Sequence, residues 1–310
     1  MRRILVIKHG AFGDVVQCDG ALRDIRLDAA DAEISVLTTP AFQRIFKRCP
    51  HVDRVIIDPR APRWRLDLMH GLRSVLRAEK FDMVFDLQNS ARTSSYFKWF
   101  LNDVKWSGTA PGCSHPHLAP CPKDIHAIER MADQLKDAGL TVHHTRNPDL
   151  SWMADDVQPI LADAAVSRPY VVLIAGSSQR HPQKRWPHYA QLASRLIDQG
   201  YHIVTVPGPD ELATADAMPG KVLKGPRGYL NWFELAGVLQ GAAFAVGNDT
   251  GPSHLASHLG VPGLALFGPH TTAERTGIKR PNFGVIEVGD LSELPVDRVM
   301  SAIQKRLSRA

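Results

Sequence analysis

Cysteine is scarce and unpatterned. Cys18, Cys49, Cys113 and Cys121 are the four in 310 residues, and no CxxC pair occurs. That spacing argues against structural disulfides and a zinc site, and it makes a reducing cytoplasm the expected compartment. Long apolar runs are also missing: none approaches the roughly 18 residues of a membrane span. The N-terminal order, Met1-Arg2-Arg3 and then Ile4 to Gly10, is basic then apolar like a signal peptide. Its apolar part is too short for one and reads as a strand. No solenoid repeat, low-complexity tract or aromatic-basic stacking pattern is present, so nucleic acid is not an expected partner. The dinucleotide fingerprint is absent too. The first βα turn, Lys8-His9-Gly10-Ala11-Phe12-Gly13-Asp14, lacks the third glycine, and the second apolar run ends in Thr38-Thr39 rather than an acid. A nicotinamide cofactor is therefore disfavoured. No Asp-x-Asp stands at a strand end to clamp a metal on a diphosphate, so we expect neither cofactor nor metal.

What remains is an ordinary globular composition, 44% hydrophobic and 22% charged, long enough for two α/β domains. The net charge of +5 is unevenly placed. Residues 1–110 carry 18 Lys and Arg against 13 Asp and Glu, and the remainder carries 19 of each. A solvated surface accounts for this bias as readily as a function does. The functional reading is an N-terminal domain that meets something acidic, a phosphorylated glycolipid or an anionic membrane face.

Apolar β-rich runs alternate with helical patterns in two series. The first has strands at 3–8, 34–38, 53–57 and 82–87 and helices at 14–27, 40–48, 66–79 and 91–101. A Pro-, Gly-, Ser- and His-rich stretch, 106–123, reads as a long loop. A helix at 124–139 and a segment near 156–166 then lead to Arg168-Pro169, a plausible linker. The second series has strands at 170–174, 201–206, 243–247, 263–267 and 284–288. Its helices are at 187–199, 209–217, 231–240, 252–259 and 295–308. Two such series predict an α/β protein of two Rossmann-like parallel-sheet domains, 1–167 and 168–310. Ligands in such sheets sit beyond the C-terminal strand ends, so two facing domains would share a central cleft.

Two turns carry the chemistry. In Gly247-Asn248-Asp249-Thr250-Gly251-Pro252-Ser253-His254, a buried strand passes through a tight polar turn into a helix. A helix start offers unpaired N–H groups and a positive dipole end, which suit a phosphate or diphosphate. Gly251 permits close approach, and Pro252 fits the first helical position, where no donor is needed. Alone, the segment is equally an ordinary βα turn capped by Asp249 or Thr250. In the first turn, Asp14 stands at a helix start, where the dipole favours a carboxylate and a bound hydroxyl can give up its proton. An N-terminal helix acid without chemistry is the plainer alternative.

With both turns in view, the chain resembles the ADP-heptose:lipopolysaccharide heptosyltransferases, inverting glycosyltransferases of the GT-B fold. The matching stretches are Ile4–Asp14, Asp86-Leu87-Gln88, Lys184-Arg185-Trp186-Pro187, Gly247–His254 and Phe267-Gly268-Pro269. Pro252 departs from the apolar residue of several relatives, and Ser177-Ser178 lie two residues farther from Lys184.

The resemblance implies that Asp14 is the base that deprotonates the acceptor hydroxyl for in-line attack on the anomeric carbon. Asp249, Thr250, Gly251 and His254 would hold the donor, and Lys184 would neutralise the leaving ADP. Ser177 or Ser178 would donate to the same phosphates, and Glu211 would meet the ribose. On the acceptor side, Arg60, Arg63 and Arg65, broken by Trp64, would grip carboxylates and phosphates in bidentate fashion. Arg130, in His126-Ala127-Ile128-Glu129-Arg130, and Gln88 would join them. In this family a cationic side chain and helix dipoles stand in for a metal. The implied partners are ADP-heptose and an acidic glycolipid, met in the cytoplasm or peripherally at the inner face of the cytoplasmic membrane. Two rival readings are a GT-B-like sugar-nucleotide epimerase or hydrolase, and a non-catalytic nucleotide-sugar-binding protein.

Overall fold

A computed structural model of the chain describes residues 1–117, 126–178, 181–209 and 211–307. The chain divides into two compact units, Met1–Trp152 and Met153–Ala310. In the first unit the strands are β1 (Arg3–Ile7), β2 (Glu33–Thr38), β3 (Arg54–Ile57), β4 (Met83–Asp86), β5 (Lys105–Gly108) and β6 (His115–Pro116). They form one parallel sheet in the order β3-β2-β1-β4-β5-β6. Its helices are α1 (Phe12–Gln17), α2 (Asp19–Asp28), α3 (Gln43–Arg48), α4 (Leu66–Ala78), α5 (Ala91–Phe100) and α6 (Ala127–Asp137).

The second unit opens with α7 (Gln158–Asp163), β7 (Tyr170–Ile174), α8 (Tyr189–Asp198) and β8 (His202–Thr205). It continues through α9 (Leu212–Ala215), β9 (Lys221–Val222), α10 (Trp232–Gln240), β10 (Phe244–Asn248) and α11 (Gly251–His258). It ends with β11 (Gly263–Phe267), α12 (Ala273–Thr276), β12 (Phe283–Glu287) and α13 (Val296–Leu307). This sheet is also parallel, in the order β12-β11-β10-β7-β8-β9.

Parallel strands covered on both faces read as unbroken apolar runs, which is why Ile4–Ile7 and Tyr170–Ile174 are wholly buried. Around them pack Leu72, Leu76 and Phe97 in the first unit, and Leu192, Leu196 and Val299 in the second. In each sheet the chain builds outward from a central strand and then returns to that strand's other side. The loops after β1 and β4 therefore diverge, as do those after β7 and β10. A crevice opens outside the carboxyl ends at each such reversal.

Several expected bounds shift for local reasons. The helix expected over 14–27 is two helices, because Cys18 N–H turns to Val15 O at 3.3 Å instead of continuing the α-ladder. The stretch expected as loop contains β5 and β6. Both are short and end in Gly and Pro, which hides them from a search for apolar runs. Residues 118–125 of that stretch, with Cys121, lie outside the described residues. α9 spans only four residues of the expected 209–217, and β9 and α12 had no apolar period to announce them.

The domain boundary expected at 167/168 falls inside the second unit. Residues 153–167 belong there because they pack on α10. Asp155 N–H donates to Phe233 O at 3.1 Å, and Gly237 of α10 faces the Asp155 backbone so closely that a Cβ would lie 2.2 Å from its carbonyl oxygen. Gly237→Ala gains helix propensity of about 1 kcal/mol but forces backbone apart, at about 1–3 kcal/mol. The two nearly offset at the low end and the clash wins above it: urea unfolding is expected to show a net loss of up to about 2 kcal/mol, and a raised midpoint contradicts this packing.

Candidate functional site

The crevice of the second unit is built around the end of β10. Asn248 is fully buried. Its Nδ2 donates to Ala175 O at 2.9 Å and Gly176 O at 3.1 Å, just past β7. Its Oδ1 accepts from Trp186 N–H and from the Tyr189 hydroxyl, both at 3.2 Å. One amide thus ties together the β7 loop, the Lys184–Trp186 segment and the first residue of α8.

The next residue, Asp249, is 5% exposed and faces one ammonium and two imidazoles. Lys184 Nζ donates to its Oδ2 at 2.7 Å and to its carbonyl oxygen at 3.3 Å. His270 Nε2 lies 3.2 Å from Oδ2 and His254 Nε2 3.5 Å from Oδ1. Burial alone would raise this carboxyl. Hydrogen bonds from His254 and Lys184, with the Lys184 charge, outweigh burial and hold it well below the usual carboxylate range. His270 is pushed below the ordinary histidine value, chiefly by burial. An ammonium group thus stands at Asp249, one residue before Thr250, the cap of α11. Pro252 occupies the first turn, and Ser253 Oγ turns back to Asn248 O at 2.6 Å. The dipole of this helix start favours an anion, and the Lys184 ammonium, though paired with Asp249, stands beside it.

Beside it lies a recess lined by Ala175, Gly176, Arg185, Thr205, Pro207 and Glu211. Glu211 Oε2 accepts from Gly208 N–H at 2.9 Å, and the carboxylate lies across Gly176, where a Cβ would come within 1.9 Å of it. Ser177 is occupied differently from the expectation. Its buried hydroxyl donates to His181 O at 3.0 Å and accepts from Arg185 Nε at 3.1 Å, so its proton is already committed within the loop. Ser178 is exposed, with its carbonyl accepting from His181 N–H.

The first unit has its own crevice, between β1 and β4. Lys8 Nζ donates to Leu87 O at 3.1 Å, and His9 N–H donates to Gln88 Oε1 at 2.9 Å, so Gln88 ties the two strand ends together. Asp86 is wholly buried, and desolvation raises its carboxyl to about 6. After Gly10, whose φ of +131° suits glycine alone, α1 begins. Asp14 is its third residue and stays partly exposed, with Oδ2 accepting from Ala11 N–H at 3.2 Å.

A buried hub sits nearby that the sequence reading missed. Asp58, just past β3, accepts from the Tyr96 hydroxyl at 2.5 Å and from Arg60 N–H at 2.7 Å. Arg92 Nε lies 3.5 Å away. His9 Nε2 is 3.2 Å from Asp58 Oδ2 without completing a hydrogen bond, and burial lowers its imidazole to about 4 against the pull of that carboxylate. Arg60 and Arg63 are exposed, while Arg65 forms a two-bond exposed pair with Asp67. Arg130 is half-buried on α6.

Lys184, Asp249 and His254 are therefore brought together at the start of α11, with Thr250 and Gly251. Glu211 and Ser177 lie at the β7 side of the same unit. Asp14 and Gln88 share the carboxyl edge of the first sheet with the Arg60–Arg65 loop. Among the residues given no role, Arg185 lies inside the quoted Lys184–Pro187 stretch and His270 directly follows Phe267-Gly268-Pro269. Asp58 has the one signal that was available, an acid directly after a strand. No group of three or more metal-ligating side chains occurs among the described residues.

Comparison with known proteins places this geometry. The profile of glycosyltransferase family 9 (heptosyltransferase) matches residues 69–303. Lipopolysaccharide heptosyltransferase 1 of Pseudomonas aeruginosa is 28% identical over 293 residues, spanning 86% of this chain and 79% of that protein. Among solved structures, a glycosyl transferase family 9 protein from Veillonella parvula superposes with a TM-score of 0.84 at 21% identity, covering 100% of this chain and 98% of its own. The E. coli heptosyltransferase WaaC with ADP-2-deoxy-2-fluoro heptose follows at 0.75 and 23% identity, over 98% and 99%. These likenesses identify the fold as the two-sheet α/β type of the heptosyltransferases.

The Asp249 cluster has a pH signature. A carboxyl depressed in the fold contributes stability that is present above its unfolded value of about 4 and lost as pH falls toward the lower folded value. Asp249→Asn is expected to unfold about 1–3 kcal/mol more easily than the wild type at about pH 7. Denaturant titrations should show that gap closing as pH drops below about 4; a gap independent of pH contradicts the ion cluster.

Proposed function

The chain belongs to glycosyltransferase family 9, the heptosyltransferases, and on that premise we propose that it moves a heptose from ADP-heptose to a lipopolysaccharide inner-core acceptor with inversion at the anomeric carbon. The observation that carries the donor half is the ammonium of Lys184 fixed on Asp249 at the start of α11. ADP-heptose as the donor is supported by the family and by the heptosyltransferase solved with ADP-2-deoxy-2-fluoro heptose. The donor diphosphate lies at the N–H groups of Thr250 and Gly251, with Lys184 beside it. Asp249 and His254 meet the sugar, and Glu211, with Ser177 or Ser178, serves the nucleotide side.

In the transfer, a carboxylate oxygen of Asp14 takes the proton of the acceptor hydroxyl, and the oxygen of that hydroxyl bonds to the anomeric carbon. The bond from that carbon to the diphosphate breaks, and ADP leaves with the electron pair. Negative charge grows on the leaving phosphate, where a fixed cation and a helix dipole stabilise it more than they stabilise the bound donor. The acceptor is an acidic glycolipid gripped by Arg60, Arg63, Arg65 and Arg130, with Gln88 at a sugar hydroxyl, and the enzyme works peripherally at the inner face of the cytoplasmic membrane.

Asp14→Asn keeps the hydrogen bond at the α1 cap and removes the base. Transfer is expected to fall about 100- to 10,000-fold while ADP-heptose affinity stays within about threefold. Normal turnover in that variant contradicts the assignment of the base. Donor breakdown without any acceptor would instead favour a hydrolase. In a thermal-shift panel, ADP-heptose is expected to raise the melting temperature well above UDP-glucose at equal concentration, since stabilisation follows concentration over dissociation constant. Equal shifts overturn the choice of donor.

A further inference from the structure

The segment after β3 exposes more apolar surface than its backbone order requires. Trp64 is 75% exposed, Leu66 65% and Leu68 39%, in the run Arg63-Trp64-Arg65-Leu66-Asp67-Leu68 that opens α4. The backbone beneath these side chains is fixed. Arg60 N–H is held by Asp58, and the carbonyl of buried Ala61 accepts from Arg92 Nη2 at 2.8 Å. Arg65 N–H closes a turn on Pro62 O at 2.9 Å, and Met69 N–H starts the helix on Arg65 O at 3.0 Å. The Arg65 guanidinium is braced on Asp67. Farther along α4, Arg73 Nε donates to Trp99 O at 3.3 Å, which sets a second half-exposed tryptophan beside the helix.

We propose that this tip, led by Trp64 and Leu66, seats the enzyme on an anionic lipid bilayer. Residues 60–77 contain five arginines; Arg65 pairs with Asp67 and Arg77 with Asp103, and the excess positive charge beside the apolar tip comes from Arg60, Arg63 and Arg73. Apolar and charged residues alternate one by one from Arg63 to Leu68. A protein–protein interface core is depleted of charge, whereas a lipid headgroup layer accepts this mixture: tryptophan and leucine enter the acyl boundary while guanidinium groups stay with the phosphates. The position is apt as well. β3 is parallel to β1 and β4, so the tip leaves the same carboxyl edge of the sheet as Asp14 and Gln88. Seating the tip on lipid brings that edge to the surface in which a glycolipid acceptor is anchored. This last step rests on the transferase reading; binding to lipid does not.

The experiment compares flotation of the full chain with vesicles of phosphatidylcholine alone and of phosphatidylcholine mixed with phosphatidylglycerol. The wild type is expected to float with the anionic vesicles, less as salt is raised, and not with the neutral ones. Trp64→Ser combined with Leu66→Ser is expected to weaken that binding about 100-fold. The double variant should retain wild-type transfer to a deacylated, water-soluble acceptor, a readout that damage to the fold would depress. Wild-type protein that ignores anionic vesicles, or a double variant that binds them equally, overturns the proposal. So does a double variant whose only change is from dimer to monomer in sedimentation, since the tip would then be a self-association surface. Vesicle binding without transfer to any acceptor leaves the lipid contact standing and removes the transferase reading alone.

Discussion

The crevice of the second unit depends on the fully buried amide of Asn248. Past the ends of β7 and β10 the chain departs in opposite directions, and nothing in the strand ladder holds the two loops together. Asn248 does so by spending both ends of its side chain, two donations to the β7 loop and two acceptances from Trp186 and Tyr189. A buried amide with partners lost costs about 1–3 kcal/mol, so the arrangement is firmly specified. Its consequence is positional. Asp249 follows Asn248 and Lys184 stands two residues before Trp186, so the same tie brings carboxylate and ammonium to 2.7 Å. The pair holds the Lys184 ammonium at the α11 start, where the helix dipole favours negative charge.

The first unit handles its acids differently. Asp58 and Asp86 are wholly buried and serve as architecture, collecting hydrogen bonds from the strand ends and from the loop that leads to Arg60. Asp14 is the acid at this edge left partly open, with one bond to its own helix cap. A carboxylate buried out of reach of solvent cannot also meet a substrate hydroxyl. Lightly tethered at a helix start, Asp14 retains that capacity.

The sequence revealed the fold well where burial is complete. Strands Tyr170–Ile174 and Gly263–Phe267 have the bounds expected of them, because a strand covered on both faces is apolar throughout and stops at a turn residue. It revealed little where strands are short edges, as at His115–Pro116 and Lys221–Val222, whose backbone pairing leaves no mark on composition. The Gly247–His254 turn was readable as a strand–turn–helix junction with an anion-facing start. Its electrostatics were not, because Lys184 and Asp249 are 65 residues apart and meet only through the fold. The hub at Asp58 escaped for the same reason: Tyr96 lies 38 residues away, and no local pattern pairs them. Ser177 was legible as a hydroxyl just after a strand, whereas its bonds to His181 and Arg185 within the loop were not.

The central claim is that a nucleotide diphosphate rests at the start of α11 beside Lys184. A crystal structure of the full chain with ADP-heptose or ADP tests it most directly. The account predicts phosphate oxygens within hydrogen-bond distance of the Thr250 and Gly251 N–H groups and of Lys184 Nζ, with the adenosine toward Glu211. Nucleotide bound in order elsewhere on the chain, with the Thr250 turn vacant, would contradict it.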